Sequence, residues 1–330
     1  MTPHHPVGAF AMQPEVLPAA FPGELLARLG TRLDLLGGGT EVLALDDPRL
    51  AHVTVLFTSW GCQPIDATVL DAAPRLRAVI HAAGSVRGHL TEEVWHRGIA
   101  VSSAADANAD PVADFTAAAI SFGVKRAFPL ARRYAEGHYP QLHERPGADG
   151  RVVGVVGASR IGRRVIRRLV ATGYQVLVAD PYLSAADAAE LGARVLSLDE
   201  VCRRSDVLTV HAPQLPSTRH LVNAARLALL PDGALVVNTA RGSLIDTGAL
   251  LAECATGRLD AILDVTDPEP LPAGHPLFAL PNVLITPHVA GVQGTEVRRF
   301  GAYATAEAER FVAGEPLLGE VLLADLPRLA

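Results

Sequence analysis

At 330 residues, with 49% hydrophobic and 19% charged side chains, the chain is long enough for two globular domains and is neither a disordered tail nor a fibrous repeat. A formal charge of −6 offers no basic field to a phosphodiester backbone or an anionic lipid surface, which makes nucleic acid and membranes poor candidate partners. Cys62, Cys202 and Cys254 are odd in number and far apart, so they suggest neither a disulfide framework nor metal-ligand spacing, and no metal is expected. Lys125 is the single lysine among 29 basic residues, which reads as GC-rich coding and not as a guanidinium function. The N-terminal stretch has no basic start and no long apolar run. The chain is therefore expected to be soluble, unexported and cytoplasmic.

In chain order, strand candidates fall at 52–59, 78–82 and 99–102, consistent with a smaller α/β domain. An amphipathic segment, 112–136, starts just after Pro111, a residue suited to a helix first turn, and is read as the helix joining two domains. From 151 the pattern sharpens. Segments 151–157, 175–180, 206–211, 234–239, 260–265 and 283–286 are short, β-branched and apolar on both alternating faces, as strands buried in a parallel sheet are. Helix-like stretches at 161–172, 184–191, 223–230 and 247–256 alternate with them, giving the βαβ rhythm of a doubly wound fold. A last helical stretch, 297–312, is expected to return to the first domain. The expected architecture is α/β: two Rossmann-like or flavodoxin-like domains, each a doubly wound parallel sheet, with an active-site cleft between them. Residues 1–105, completed by 297–330, would bind substrate, and 106–296 would bind the cofactor.

After the strand ending at Gly157 comes Gly157-Ala-Ser159-Arg-Ile-Gly162, a G-x-G-x-x-G arrangement with serine at its middle glycine. The first glycine permits a tight turn, the third lets helix pack on strand, and the helix N-terminus offers N–H groups to a pyrophosphate. Serine in the middle hinders close approach of backbone to phosphate, although its hydroxyl could hydrogen-bond instead. Asp180 lies 18 residues past Gly162 at a strand end, where a carboxylate accepts from both ribose hydroxyls and repels a 2′-phosphate. NAD is therefore expected over NADP. The bland alternative is an ordinary strand-to-helix turn.

Three later strand ends carry polar groups that a buried strand does not need: Asn238-Thr239-Ala240-Arg241-Gly242, the segment from Asp264 to Glu269-Pro270, and Thr286-Pro287-His288. Ligands of open α/β sheets bind at such carboxyl ends. Taken singly, Arg241 could cap a turn, Glu269 could be a solvated acid and His288 a packed polar residue. Together they meet the needs of 2-oxo acid reduction: a planar cation for the carboxylate, a proton donor for the oxygen, and a carboxylate that favours the protonated donor.

These motifs, with Val153-Gly-Val-Val-Gly157, Asp180-Pro181, His211-Ala212-Pro213 and Thr218-Arg-His-Leu221, closely resemble those of the D-2-hydroxyacid dehydrogenase family, which includes glycerate, phosphoglycerate, formate and phosphite dehydrogenases. The resemblance runs from about Pro74 to Thr295 and implies roles. His288 would be the general acid/base, Glu269 would hold and tune it, and Arg241 would orient the substrate. Arg160 and Ile161 would face the pyrophosphate and Asp180 the adenosine ribose. Thr239 and Asp264 would lie near the nicotinamide, and Ala240 is a further cofactor-binding candidate. His211, Ala212, Pro213, Thr218, Ala290 and Gly291 would line the same site. Asn108 matches the family segment at the start of the joining helix. A homodimer through the cofactor domain is the family's usual assembly, and the helix from Val112 is a natural contact.

One loop departs from the family. Where many relatives carry a G-V-G-Y-D-N-like run, this chain has Gly84-Ser85-Val86-Arg87-Gly88-His89, so Val86 replaces a glycine and Gly88 an aspartate. Backbone N–H groups of this loop are expected to grip the substrate carboxylate. Ser85, Val86 and Arg87 are thus substrate-binding candidates, and Arg87 and His89 could add charge, although solvent-facing side chains are commoner. Trp60, after the first domain's strand, could wall the pocket or simply pack. Two other readings stay open: the same triad acting on a phosphonate or phosphorus oxyanion, and an NAD(H)-sensing protein like the C-terminal binding corepressors. The chain ends about 40 residues after His288, unlike the long, allosterically regulated phosphoglycerate dehydrogenases, and no regulatory domain is expected.

Overall fold

The computed structural model describes residues 5–328. By their contacts the described residues divide into two compact units, one made of those up to Asn108 together with those from Val292, the other Ala109–Gly291. Each is built on a wholly parallel sheet.

In the first unit, β1 (Val7–Ala11), β2 (Asp34–Leu35), β3 (Val55–Thr58), β4 (Ala78–His81) and β5 (Ala100–Ser103) lie in the order β2-β1-β3-β4-β5. Strands β3 and β4 are buried throughout, as their unbroken apolar runs require. Phe10 from β1, Phe57 from β3 and Phe21 pack ring against ring at 4.8 to 5.6 Å between centroids. The helix Arg298–Ala313 returns to this unit and ends at Gly314, which takes the left-handed conformation common after a helix. Its Glu307 is 1% exposed, and its carboxylate accepts from the Ser102 hydroxyl and from the N–H groups of Leu318 and Gly319. That buried acceptor fastens the C-terminal segment to β5. Asn108 belongs to this unit, where its side-chain oxygen accepts from the Val292 N–H at 2.8 Å.

In the second unit, β6 (Val152–Val156), β7 (Gln175–Ala179), β8 (Ala193–Val195), β9 (Val207–Val210), β10 (Leu235–Asn238), β11 (Asp260–Leu263) and β12 (Val283–Ile285) lie in the order β12-β11-β10-β9-β6-β7-β8. The order reverses between β6 and β9, the topological switch point of a doubly wound sheet, and separate apolar layers cover the two faces.

Several expectations need correction. The helix expected to begin after Pro111 runs Ala105–Val124 with Pro111 inside it, and it stops short of 136. Proline removes one helix hydrogen bond and its ring crowds the carbonyl one turn back, and burial of Ala109, Pro111, Val112 and Ala113 carries the helix through. Arg126 then takes a left-handed backbone, φ 48°, and a separate helix follows at Ala127–Ala135. Residue 52 ends a 3-10 turn, Pro48–His52, that leads toward β3. The helix read at 223–230 is only Ala224–Leu227, capped by Asn223. Strands β1, β2 and β8 were absent from the sequence reading. Two of these lie at sheet edges, where short and partly exposed runs carry little apolar signal.

Candidate active site

The glycine motif forms the turn between β6 and the helix Arg160–Ala171. Gly157 has φ 97°, and a Cβ there would sit 2.7 Å from the Ala212 nitrogen. At Gly162 a Cβ would meet the Gly157 carbonyl oxygen at 2.1 Å. Both positions therefore require glycine, one for its dihedral and one for close packing of helix on strand. Ser159 is the N-cap, and its hydroxyl accepts from the Gly162 N–H at 3.2 Å. Asp180, just past β7, accepts from the Ala158 N–H at 2.6 Å and from the Tyr182 N–H at 2.8 Å, which ties the end of β7 to the glycine turn. Pro181 beside it is exposed. Arg160 and Ile161 open the helix.

Across the switch point, His211 is 4% exposed, and burial pushes its imidazole down to about 3. Its Nε2 pairs with the Thr209 hydroxyl at 2.9 Å, while Nδ1 has no hydrogen-bond partner among the described residues. Ala212 is buried and Pro213 half-buried. Thr218 is committed locally: its hydroxyl donates toward the Pro213 carbonyl at 2.6 Å and accepts from the Leu215 N–H at 2.8 Å, closing the 213–218 turn.

After β10, the buried Asn238 accepts from the Ala240 N–H at 3.0 Å and donates to the Arg241 carbonyl at 2.9 Å, folding the backbone around Arg241. Thr239 is buried against the hydroxyl of Thr116, 2.8 Å away on the helix Ala105–Val124. Burial pushes the Arg241 guanidinium below its usual value, while the nearby Glu269 carboxylate pushes it back. At Gly242 a Cβ would meet the Thr266 backbone at 1.9 Å. The loops after β10 and β11 thus touch.

His288 and Glu269 meet as read from their order: His288 Nδ1 lies 2.5 Å from Glu269 Oε1, with both side chains partly exposed. His288 has φ 56°, an uncommon backbone for a residue with a Cβ. Asp264 holds it there. The Asp264 carbonyl accepts from the His288 N–H at 2.9 Å. The Asp264 carboxylate, 2% exposed, accepts from the Thr286 hydroxyl at 2.5 Å, the Val289 N–H at 2.8 Å and the Ala290 N–H at 2.9 Å. Ala290 is buried beside it and Gly291 half-buried.

In the first unit, Val86 is 2% exposed and packs in the core, so only its backbone can face a ligand. Ser85 Oγ accepts from the Arg87 N–H at 3.3 Å, and Arg87 is exposed. His89 does not add charge as expected: burial pushes its imidazole down to about 4, which leaves it neutral. Trp60 is 41% exposed, with its ring edge-on to Phe300 at 5.5 Å.

The sequence reading gave no role to Asn238 or Thr116, and it placed Asp264 at the cofactor without its hold on His288. The signal for Asn238 is local, a polar residue ending the apolar strand β10. Thr116, 123 residues from its partner, carried no such signal.

A doubly wound sheet with a glycine turn at its switch point, and Arg, Glu and His on three successive strand exits, defines a nucleotide-dependent oxidoreductase type of domain. The chain belongs to the D-isomer specific 2-hydroxyacid dehydrogenase family, and residues 118–290 match that family's NAD binding domain. It is 35% identical over 254 residues to a D-3-phosphoglycerate dehydrogenase of Mycobacterium bovis, covering 76% of this chain and 48% of the relative. The chain thus spans about half that relative's length. A glyoxylate reductase of Korarchaeum cryptofilum is 31% identical over 258 residues, covering 76% of this chain and 78% of that one. The crystal structure of apo D-mandelate dehydrogenase from Rhodotorula graminis is similar in fold, with a TM-score of 0.81 at 24% identity over 96% of this chain and 98% of the other. Among the described residues, no helix is long and apolar enough to cross a membrane.

Proposed function

We propose that the protein is an NAD(H)-dependent oxidoreductase interconverting a 2-oxo acid and a D-2-hydroxy acid, with the first unit binding substrate and the second the cofactor. The observation that carries this reading is the 2.5 Å His288–Glu269 pair, set beside Arg241 at the carboxyl ends of β10 to β12. The cofactor cradle fits a dinucleotide: Gly157 and Gly162 leave no room for a Cβ, and Asp180 stands at the end of β7. Gly157, Ser159, Arg160, Ile161 and Gly162 would hold the pyrophosphate and Asp180 the ribose, with Thr239 and Asp264 nearer the nicotinamide. NAD(H), when bound, exchanges a hydride with the substrate carbon.

The residues of this chain do the rest. The Arg241 guanidinium presents a planar fork to the substrate carboxylate. Glu269 accepts from His288 Nδ1, which orients the ring and leaves Nε2 as the atom that exchanges a proton with the substrate oxygen. The three cysteines are unpaired and support a reducing, cytoplasmic setting. The proposed protein partner is a second copy of the chain. The helix Ala127–Ala135 has no buried residue and, with its flanks, exposes Phe122, Phe128, Tyr134 and Tyr139.

The test follows NADH absorbance with glyoxylate, hydroxypyruvate, phenylpyruvate and phosphonopyruvate, with NADPH as control. At least one 2-oxo acid should oxidise NADH. His288→Ala should lower kcat by orders of magnitude with NADH binding retained. Unchanged turnover in His288→Ala removes the acid/base assignment, and silence across the panel removes the reaction.

A further inference from the structure

The turn that carries Arg241 is tied to a helix by a pair of buried hydroxyls. Thr116, on the helix Ala105–Val124, is 0% exposed, and Thr239, just past β10, is 6% exposed. Thr116 Oγ1 lies 2.7 Å from the Val112 carbonyl oxygen, one turn back in its helix, and 2.8 Å from Thr239 Oγ1. A carbonyl only accepts and a hydroxyl carries one O–H, so Thr116 donates to Val112 and the other bond uses the Thr239 proton. The order is thereby fixed: Thr239 donates to Thr116, and Thr116 donates to Val112.

Bonds within the turn close it on itself. Asn238 Oδ1 accepts from the Ala240 N–H at 3.0 Å, and Asn238 Nδ2 donates to the Arg241 carbonyl at 2.9 Å. Arg241 Nη1 donates to the Ala240 carbonyl at 2.7 Å, so the guanidinium follows the direction of the peptide between residues 240 and 241. Asn238 thus sets the shape of the turn, and the Thr239 bond anchors that shape to a helix residue 123 positions earlier. Valine at 116 would have the shape of threonine but no acceptor. The Thr239 proton would then be buried without a partner, and bringing it to water would rotate the backbone that carries Arg241.

We propose that Thr116 is a positioning residue, which through Thr239 anchors the turn so that the Arg241 guanidinium meets the substrate carboxylate. The inference rests on the reading of Arg241 given above. The same helix is also joined to the helix Arg160–Ala171 by ion pairs from Arg168 to Asp110 and Asp114, whose carboxylates are exposed and screened by salt. The Thr116–Thr239 pair is uncharged and buried, so its hold does not weaken with ionic strength.

The test uses the full chain saturated with NADH. Thr116→Val should raise KM for the 2-oxo acid about tenfold, with kcat changed less than about threefold, and Thr116→Ser, which keeps the hydroxyl, should restore KM. The effects of Thr116→Val and Thr239→Val on KM should not add, because both remove the same bond. Independently of turnover, oxalate should bind Thr116→Val about tenfold more weakly than the parent, and the Ala240 amide should exchange its hydrogen about tenfold faster. If Thr116→Val does not fold, Thr116→Cys, whose sulfur accepts only weakly, is read in the same way. A parent-like KM in the folded variant, additive effects of the two valine substitutions, or faster Ala240 exchange with unchanged oxalate affinity overturns the proposal. Oxalate that does not bind the parent removes the reading of Arg241 and the proposal with it. If the parent reduces no 2-oxo acid while Thr116→Val, and not Thr116→Ser, weakens oxalate and speeds Ala240 exchange, the anchor stands and the assigned reaction falls.

Discussion

The substitution Asp264→Asn isolates what holds His288 in its unusual backbone. The carboxylate accepts three hydrogen bonds, two at Oδ1 from Thr286 and Val289 and one at Oδ2 from Ala290, in a site 2% exposed. Asparagine has the same shape but only one acceptor oxygen. Turned toward Thr286 and Val289, it sets its NH2 against the Ala290 N–H, donor to donor, in a buried position. One charge-assisted bond is lost and a buried donor left unsatisfied, which together cost about 3 kcal/mol. The left-handed backbone of His288 itself costs about 1 to 3 kcal/mol, so its native geometry survives only while the surroundings enforce it. The loop carrying His288, the proposed acid/base, should therefore relax. Steady-state kinetics should show kcat/KM reduced about a hundredfold, and thermal unfolding should show a Tm lower by about 6 to 12 °C for a unit of this size. A variant with kcat/KM within threefold of the parent and an unchanged Tm would refute the argument that Asp264 builds this loop.

Two further outcomes are expected. His81 and His211 are held neutral with imidazoles pushed down to about 3, against 6.5 in the unfolded chain, so between those values the unfolded chain binds protons that the folded one does not. Their contribution is complete above pH 6.5 and is lost as pH falls, at about 1.4 kcal/mol per pH unit for each ring. Urea unfolding should accordingly shift to lower denaturant between pH 7 and pH 5, and an unshifted midpoint would contradict neutral burial. The exposed Phe122 and Phe128 rings, stacked at 5.5 Å, are the proposed contact with a second copy. Phe128→Glu should convert a dimer to a monomer in sedimentation velocity, and a monomeric parent at micromolar concentration removes that partner.

What could be read in advance depended on locality. The strands of the second unit other than β8 announced themselves because burial demands unbroken apolar runs, and the glycine turn because a positive φ and a touching backbone exclude every side chain. Arg241, Glu269 and His288 stood out as costly polar groups at strand exits. Strands β2 and β8, two and three residues long, carried too few residues to show a period, whereas β1 has five but three of them are Gly8, Ala9 and Ala11, which give little apolar signal; Pro111 misplaced a helix start because tertiary burial outweighs its missing N–H and the crowding of its ring.

The sequence by itself determined the parallel-sheet class, the order of the functional side chains along the chain and the chemistry each can perform. Only the tertiary structure decided which groups are already occupied. Asp264 bonds to its own loop, Thr218 to its own turn and Ser159 to its own helix, while His89 is neutral beside Thr58 and His81. The physical reason is that protonation and hydrogen-bond availability depend on burial and on partners distant in sequence, and a residue's identity states only what it could donate or accept.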